Sequence, residues 1–250
     1  MFDSITVDAE RWWLIICWLA WAALLFGGFA FGKLNARQTY RMPDVGRLGS
    51  SLVLVVAAWS WYLFTRESEA VIYTLPIAIG MTFGFIGDLF MAGKIPVSQH
   101  VIGGMGAFGL GHVAYIIGLL RIGDALGLTA SDARLIAWGV WLMIGAVGWW
   151  LAVYRGAGER NAMHWIALVY ALLLASTAGV ATGLALQESA FIPLALGAAL
   201  FLLSDLIIAA QLFKGVHFRS IGDVIWLTYG PAQMLIVYSA DGVLRLLGGA

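Results

Sequence analysis

The chain has 250 residues, of which 62% are hydrophobic and 11% are charged, and its mean hydropathy is +0.90. Soluble domains average about 45–50% apolar and about 25% charged residues, so this composition excludes an ordinary soluble protein. The formal net charge is zero, which provides no basic surface for nucleic acid, and the single cysteine, Cys17, excludes an intrachain disulfide. We therefore expect an integral membrane protein.

Eight apolar stretches have roughly the length of a membrane-spanning helix, for which about 17–25 residues are needed. In chain order they cover residues 12–32, 49–64, 70–92, 101–120, 135–154, 164–186, 190–213 and 221–244. The second is the shortest. The sequence thus predicts an all-α, polytopic membrane protein with eight transmembrane helices, folded as a single transmembrane domain over residues 1–250.

The connections between these spans differ in charge. Most lysines and arginines fall on one side, and the loop Lys33–Arg47 contributes much of this excess. Since positively charged connections stay in the cytoplasm, an even number of spans places both termini on the non-cytoplasmic side. We expect this topology in a bacterial inner membrane.

The fourth span is rich in glycine, with Gly103, Gly104, Gly106, Gly109 and Gly111. Small residues let membrane helices approach closely, whereas a phosphate-binding glycine loop would follow a strand, and no strand is predicted here. We therefore expect these glycines to form a helix-packing face.

Two spans carry an aspartate well inside the apolar run, Asp88 in the third and Asp205 in the seventh. A charge at membrane depth costs about 2.5–3.5 kcal/mol on insertion scales and is retained only where something compensates it. Each aspartate follows a small residue and precedes a leucine. We interpret the two acids as the working site, while the alternative is a carboxyl group paired to a neighbouring helix for packing.

Further polar side chains fall at a similar depth. With a helical rise of 1.5 Å per residue, they lie roughly 8 to 18 Å from the Lys- and Arg-rich end of their spans. The set is Asp88, His112, Asp205, Tyr229 and Gln233. Because they come from four different spans, they predict a hydrated cavity between helices, open towards the cytoplasmic side.

The positions of these residues also indicate an internal repeat. The separation between Asp88 and Asp205 equals that between His112 and Tyr229, and four spans separate the two copies. Copies that run in the same direction are typical of parallel repeats around an axis along the membrane normal. We predict a four-plus-four parallel repeat in which the two acids face each other.

Short motifs around these residues resemble the signatures of the YhhN-type lysoplasmalogenases. The matching segments, in order, are Gly87-Asp88-Leu89, Gly111-His112-Val113-Ala114-Tyr115, Ser204-Asp205-Leu206 and the segment from Tyr229 to Gln233. Each motif is short, and the ordered set with eight spans carries the resemblance. It covers most of the chain from the third span onward.

The resemblance implies a membrane enzyme that cleaves the vinyl-ether bond of lysoplasmalogen to a fatty aldehyde and glycerophospho-ethanolamine or -choline. The catalytic candidates that it implies are Asp88, Asp205, His112, Tyr229 and Gln233. The substrate-binding candidates are Tyr115 and Ser204, to which we add Lys214 and Arg219 as cations at the rim that would hold the lipid phosphate.

Vinyl-ether hydrolysis suits a pair of buried carboxyl groups. The reaction begins with protonation of an alkene carbon, so it needs a carboxylic acid that keeps its proton near neutral pH. Burial disfavours the charged form, and two neighbouring carboxylates do not easily both ionise. One acid and one base would result, and the sequence does not assign which aspartate is which.

Two other functions remain open. A metal-dependent lipid hydrolase would use Asp88, His112 and Asp205 as ligands, although no close His or Cys spacing supports it. A non-enzymatic lipid or small-molecule carrier would use the acids as a proton relay. We expect no metal and no other cofactor. The expected partners are a lyso-ether phospholipid and the bilayer, with no nucleic acid, and the oligomeric state is left open.

Overall fold

The computed structural model describes residues 4–5, 7–156 and 159–248; the remaining positions of the predicted domain lie outside the described residues. Within these ranges all regular structure is helical. The α-helices, in chain order, are α1 Asp8–Phe31, α2 Asp44–Thr65, α3 Val71–Met91, α4 His100–Ala125, α5 Ser131–Trp149, α6 Ala162–Ala185, α7 Ile192–Lys214, α8 Ile221–Tyr238 and α9 Ala240–Leu246. A π-helical segment, Trp150–Tyr154, continues α5, and a 3₁₀ turn, Ser189–Phe191, precedes α7.

The predicted all-helical membrane architecture is confirmed. In the described residues, seven segments are long and apolar enough to cross a membrane, and they contain α1 to α7. Helix α8 has 18 residues, most of them buried inside the bundle. Which face of the membrane holds the termini, and the bacterial inner membrane itself, stay predictions.

Several predicted boundaries differ from the structure by a few residues, and two of these differences change the description of the chain. The second span begins at Asp44 rather than at residue 49, so part of the predicted basic loop is the first turn of α2. The last span, predicted as 221–244, is broken at Ser239. The Ser239 hydroxyl donates to the carbonyl of Ile236 at 2.6 Å and also bonds the Tyr73 hydroxyl. A serine hydroxyl that bonds a carbonyl of its own helix often bends the helix, which accounts for the break at Ser239.

Glycines on α4 bring it close to α3, as the sequence predicts. A Cβ atom on Gly111 would lie 2.8 Å from the carbonyl oxygen of Gly80, and one on Gly118 would lie 2.9 Å from Pro76. Gly80 itself leaves the space that the ring of Tyr115 fills. This contact of small residues allows the backbones of α3 and α4 to approach each other and fixes the position of Tyr115 along α3.

The helices form two groups of four in sequence, α1–α4 and α5–α8. Consecutive helices pack together within each group, and the groups meet where α4 contacts α6 and α2 contacts α8. This arrangement is compatible with the predicted repeat, which stays a prediction until the two halves are superposed. For the site, the consequence is that α2, α3, α7 and α8 supply side chains to one interior space.

Candidate functional site

Asp88 and Asp205 line the same pocket, although they come from α3 and α7. We name it the acidic pocket; its lining includes Arg47, Asp88, Phe108, Asp205, Trp226 and Tyr229. Asp88 is buried, and Asp205 is partly buried. The structure therefore brings the two intramembrane acids together, although the role of each is a separate question.

Hydrogen bonds from two other helices hold Asp88. The Ser51 hydroxyl on α2 donates to its Oδ2 at 2.5 Å, and the Tyr229 hydroxyl on α8 donates to the same oxygen at 3.0 Å. Two donors to one oxygen favour the ionised carboxylate and offset part of the cost of burying it. Asp88 is thus a fixed group rather than a mobile one.

The donors behind Tyr229 form a chain that points towards Asp88. The Tyr115 hydroxyl donates to Oε1 of Gln233 at 3.0 Å, and Nε2 of Gln233 donates to the Tyr229 hydroxyl at 2.9 Å. The Tyr229 hydroxyl in turn donates its own hydrogen bond to the Asp88 carboxylate. Three of the candidates from the sequence, Tyr115, Tyr229 and Gln233, therefore act on one oxygen of Asp88 through consecutive hydrogen bonds.

Asp205 has a different set of partners. The Tyr170 hydroxyl on α6 donates to its Oδ2. The Ser204 hydroxyl lies 3.3 Å from Oδ1, but it is closer, at 2.9 Å, to the carbonyl of Phe201. Since a hydroxyl has one proton to give and the Phe201 carbonyl is the nearer acceptor, the hydrogen bond that Ser204 donates to Oδ1 of Asp205 is the weaker of the two.

A second pocket extends from Asp205 into the bundle, and we name it the apolar pocket. It shares Met91, Phe108, Asp205, Ile208 and Leu212 with the acidic pocket. The rest of its wall is mainly aliphatic and aromatic and includes Met105, Trp149, Val153, Ala171, Leu174 and Leu202. Asp205 therefore lies where a hydrophobic space meets a polar one.

A third pocket, the basic pocket, borders the acidic pocket on its other side. Its lining includes Lys33, Asn35, Tyr40, Arg41, Asp44 and Arg47. Tyr40 and Arg47 line both the basic and the acidic pocket and so form the boundary between them. The acidic pocket therefore lies between the basic pocket and the apolar pocket.

His112 is apart from the two acids. Its Nδ1 bonds the Thr177 hydroxyl at 2.9 Å, and the described residues offer no hydrogen-bond partner to its buried Nε2. Its ring packs 4.4 Å from the ring of Phe201, which in turn packs against Tyr229. His112 is absent from the wall of the acidic pocket, so any action on the acids would pass through its ring neighbours Phe201 and Tyr115 or through a rearrangement.

Lys214 and Arg219, the expected phosphate ligands, are exposed and line none of the three pockets. The cation at the acidic pocket is Arg47, which sequence reasoning assigned to a loop. Ser51 and Tyr170 were missed as well. A tyrosine inside the sixth span was a usable signal for Tyr170, whereas a single serine such as Ser51 is too common in membrane helices to stand out.

The positions of these side chains also test the alternative of a metal-dependent lipid hydrolase. Among the described residues, no group of three or more His, Cys, Asp and Glu side chains lies close enough together to hold a metal ion. His112 is directed to Thr177 rather than to either carboxylate. The set proposed from the sequence, Asp88, His112 and Asp205, is therefore not assembled as a ligand cluster.

A family model described as the YhhN family matches residues 47–240 of the chain. This range begins at Arg47 and includes both acids and the Tyr229–Gln233 segment. No curated protein and no solved structure matches the chain.

Proposed function

The chain belongs to the YhhN family, and from that premise we propose that it is a membrane hydrolase that cleaves the vinyl-ether bond of a lysoplasmalogen. The products would be a fatty aldehyde and a glycerophospho-ethanolamine or -choline. The observation that carries the proposal is that Asp88 and Asp205 line one pocket which continues into an apolar one. Such a layout suits an amphiphile whose reactive bond lies between its chain and its headgroup.

The reaction needs one proton donor and one water molecule. A carboxylic acid transfers its proton to the alkene carbon that is not bonded to oxygen, and the electron pair of the double bond forms the new C–H bond. The resulting oxocarbenium ion takes up water, which loses a proton to a base. As the C–O bond of the hemiacetal to the glycerol breaks, the base returns its proton to the glycerol oxygen, which leaves as an alcohol. The hemiacetal hydroxyl gives its proton to the deprotonated acid, and the chain leaves as an aldehyde. General acid–base catalysis of such steps contributes typically about 10²–10⁴-fold.

We assign the acid to Asp205 and the base to Asp88 within this proposal. Asp88 accepts two hydrogen bonds on one oxygen, which favours its ionised form. Asp205 accepts one firm hydrogen bond, from Tyr170, and only a long one from Ser204, whose proton is directed mainly to the carbonyl of Phe201. An ionised Asp88 in the same pocket further favours a proton on Asp205, because like charges in a medium of low dielectric repel.

The apolar pocket would hold the alkenyl chain of the substrate. Burying a methylene group stabilises the complex by about 0.8 kcal/mol, so a long chain gains most of its affinity in such a space. Asp205 lines both this pocket and the acidic pocket. A chain inserted from the acidic side therefore brings its first carbon atoms, which form the vinyl ether, next to Asp205.

The remaining candidates are positioning residues in this scheme. Gln233 and Tyr115 hold the hydroxyl of Tyr229, and Tyr229 holds Asp88. Ser204 and Tyr170 hold Asp205. His112 has no assigned step, because the ring of Phe201 lies against it on the side of Tyr229.

The test is aldehyde release by the purified protein in detergent, measured by mass spectrometry with a 1-alkenyl lysophospholipid as substrate. No gradient exists in detergent, so a carrier that uses the acids as a proton relay would produce no aldehyde. A 1-acyl lysophospholipid of equal chain length serves as the comparison. Release of aldehyde from the vinyl ether supports the proposal. Its absence in monodisperse, folded protein would show that the chain is not a lysoplasmalogenase.

A further inference from the structure

The basic pocket carries an excess of positive charge. Three of its lining side chains, Lys33, Arg41 and Arg47, are cations, and one, Asp44, is a carboxylate. Asp44 is already bound twice, by Arg47 and by Lys94, whose Nζ lies 2.6 Å from it. The carboxylate therefore does not neutralise the three cations of the pocket, and the space is suited to an anion.

Arg47 has donors left for such an anion. One of its terminal nitrogens bonds Asp44, but its Nε is buried and has no hydrogen-bond partner among the described residues. Its guanidinium lies 4.1 Å from the ring centre of Tyr40, which keeps the planar group in place at the boundary between the two pockets. A buried donor without a partner is costly, so a small shift of the guanidinium that brings Nε within reach of a bound acceptor would relieve that cost.

Lys33 and Arg41 complete the cationic wall. In the part of the chain that the structure describes, Lys33 makes no ion pair or side-chain hydrogen bond and is exposed at the pocket. Arg41 makes a long 3.4 Å hydrogen bond from Nε to the carbonyl of Gly32 and packs 5.2 Å from the ring of Phe29. Both side chains therefore keep charge available at the rim.

The loop that carries this wall is fixed to the helix that carries Tyr229. Asp223, a fully buried residue on α8, accepts hydrogen bonds from the backbone N–H groups of Arg41 at 2.7 Å and Met42 at 3.0 Å. The backbone N–H of Gly222 also donates to the carbonyl of Thr39 at 2.9 Å. The basic pocket is thus held in a defined position relative to Asp88, with which Tyr229 is bonded.

We propose that the basic pocket binds the phosphate of a lysophospholipid headgroup, with Arg47 as its main contact and Lys33 as a second cation. A guanidinium matches the oxygens of a phosphodiester in geometry and charge. The identification of the lipid rests on the proposed hydrolase function. The glycerol backbone would then lie across the Tyr40 and Arg47 boundary, with the phosphate on one side and the vinyl ether on the other.

This site defines a substrate class. The protein should select 1-alkenyl glycerophospholipids over 1-alkenylglycerol, which has the same vinyl ether and chain but no phosphate. For the wild type we expect a KM for the neutral lipid that is about tenfold or more above that for the phospholipid, the amount that one charge-assisted hydrogen bond provides. Equal KM values for the two lipids would overturn the proposal.

Substitutions distinguish phosphate binding at the basic pocket from phosphate binding at other cations of the protein. Arg47→Met should raise the KM for the phospholipid about tenfold more than the KM for 1-alkenylglycerol, with a smaller difference in the same direction for Lys33→Met. The matched control is Arg37→Met, an exposed residue of the same loop outside the pocket, which should change neither value. If Arg47→Met raises both KM values equally, or if Lys214→Met and Arg219→Met produce the selective loss instead, the assignment is wrong.

A binding measurement keeps the inference independent of catalysis. Wild type and Arg47→Lys, which preserves the charge in case Arg47→Met fails to fold, are titrated in detergent with lysophosphatidylcholine and with monoacylglycerol of equal chain length. Tighter binding of the phospholipid, weakened by Arg47→Lys, supports the site even if no aldehyde is ever released. Equal binding of both lipids contradicts it. Inorganic phosphate at millimolar concentration is also tested as a competitor. If it competes as strongly as the lysolipid does, the pocket binds free phosphate rather than a lipid headgroup.

Discussion

Asp205 lines both the acidic and the apolar pocket, whereas Asp88 belongs to the acidic pocket, where Ser51 and Tyr229 donate to it. The two acids have similar sequence surroundings, yet their environments differ in how the donors are arranged and in contact with the apolar space. This asymmetry is what permits one carboxyl group to act as an acid and the other as a base.

Asn at either position should abolish aldehyde release while the protein remains inserted and folded. Asp205→Asn removes the proposed proton donor and Asp88→Asn the proposed base, so we expect kcat to fall at least about a hundredfold in each variant. Steady-state aldehyde release, with size-exclusion chromatography to establish folding, measures this.

The control for a buried carboxyl group is Asp241→Asn. Asp241 is also buried and hydrogen-bonded, to Ser4 at 2.6 Å and Arg245 at 2.9 Å, but it lies outside the three pockets. It should affect stability rather than turnover. Full activity in both Asp88→Asn and Asp205→Asn would remove the carboxylate mechanism.

Protonation of carbon leaves an isotopic record in the product. In heavy water, a carboxyl group at Asp205 exchanges to the deuterated form and transfers that deuterium to the alkene carbon. We expect each aldehyde to carry one deuterium at carbon 2, measured by mass spectrometry, and turnover to be slower than in ordinary water. Authentic aldehyde kept in the same buffer controls for later exchange. A product without deuterium at carbon 2 would show that the enzyme cleaves the ether by another route.

Tyr229→Phe tests the hydrogen bond to Asp88 without changing the shape of the side chain much. A hydrogen bond to a charged group contributes about 1.5–3 kcal/mol, so kcat/KM should fall about tenfold to a hundredfold. The matched control is Tyr73→Phe, because Tyr73 is also a buried tyrosine with a hydroxyl partner, Ser239, yet it lies outside the pockets. If both variants lose activity equally, the effect belongs to packing and not to Asp88.

Much of this architecture could be predicted from the sequence because length and apolarity determine which segments can span a bilayer. The convergence of Asp88, Asp205 and Tyr229 on one pocket also followed from depth, since helical rise fixes how far each residue lies from the end of its span. Rotation about the helix axis is not fixed in this way. For that reason His112, at a matching depth, lies against Thr177 and Phe201 instead of in the pocket.

The charged residues were harder to place for a different reason. Lys214 and Arg219 were chosen because they lie near the end of the seventh span, but Gly215, with a φ of 63°, ends α7 and the chain beyond it is exposed. The sequence predicts Arg47 at the end of a loop, before a span that begins at residue 49. In the structure α2 begins at Asp44, and a charged first turn is tolerated because Arg47 lines a polar pocket and pairs with Asp44.

Gly84→Ala tests the hydrogen-bond chain from Tyr115 through Gln233 to Tyr229 by a substitution at a residue that is not part of the chain. A Cβ atom at this position would lie 2.6 Å from Nε2 of Gln233, the nitrogen that donates to Tyr229. Since Nε2 is the far end of a flexible side chain, the amide should move at little cost to folding, but Tyr229 would lose the group that orients its hydroxyl. A neutral hydrogen bond contributes about 0.5–1.5 kcal/mol, so we expect kcat/KM to fall about threefold to tenfold, less than for Tyr229→Phe.

The control for Gly84→Ala is Gly139→Ala on α5, where a new Cβ atom would meet nothing within 4 Å. Alanine favours a helix over glycine by about 1 kcal/mol, so this variant should be at least as stable as the wild type and equally active. The double variant Gly84→Ala with Tyr229→Phe should be no less active than Tyr229→Phe alone, because both changes act through the same hydroxyl. Additive losses would mean that Gly84 affects turnover by a path that does not pass through Gln233 and Tyr229.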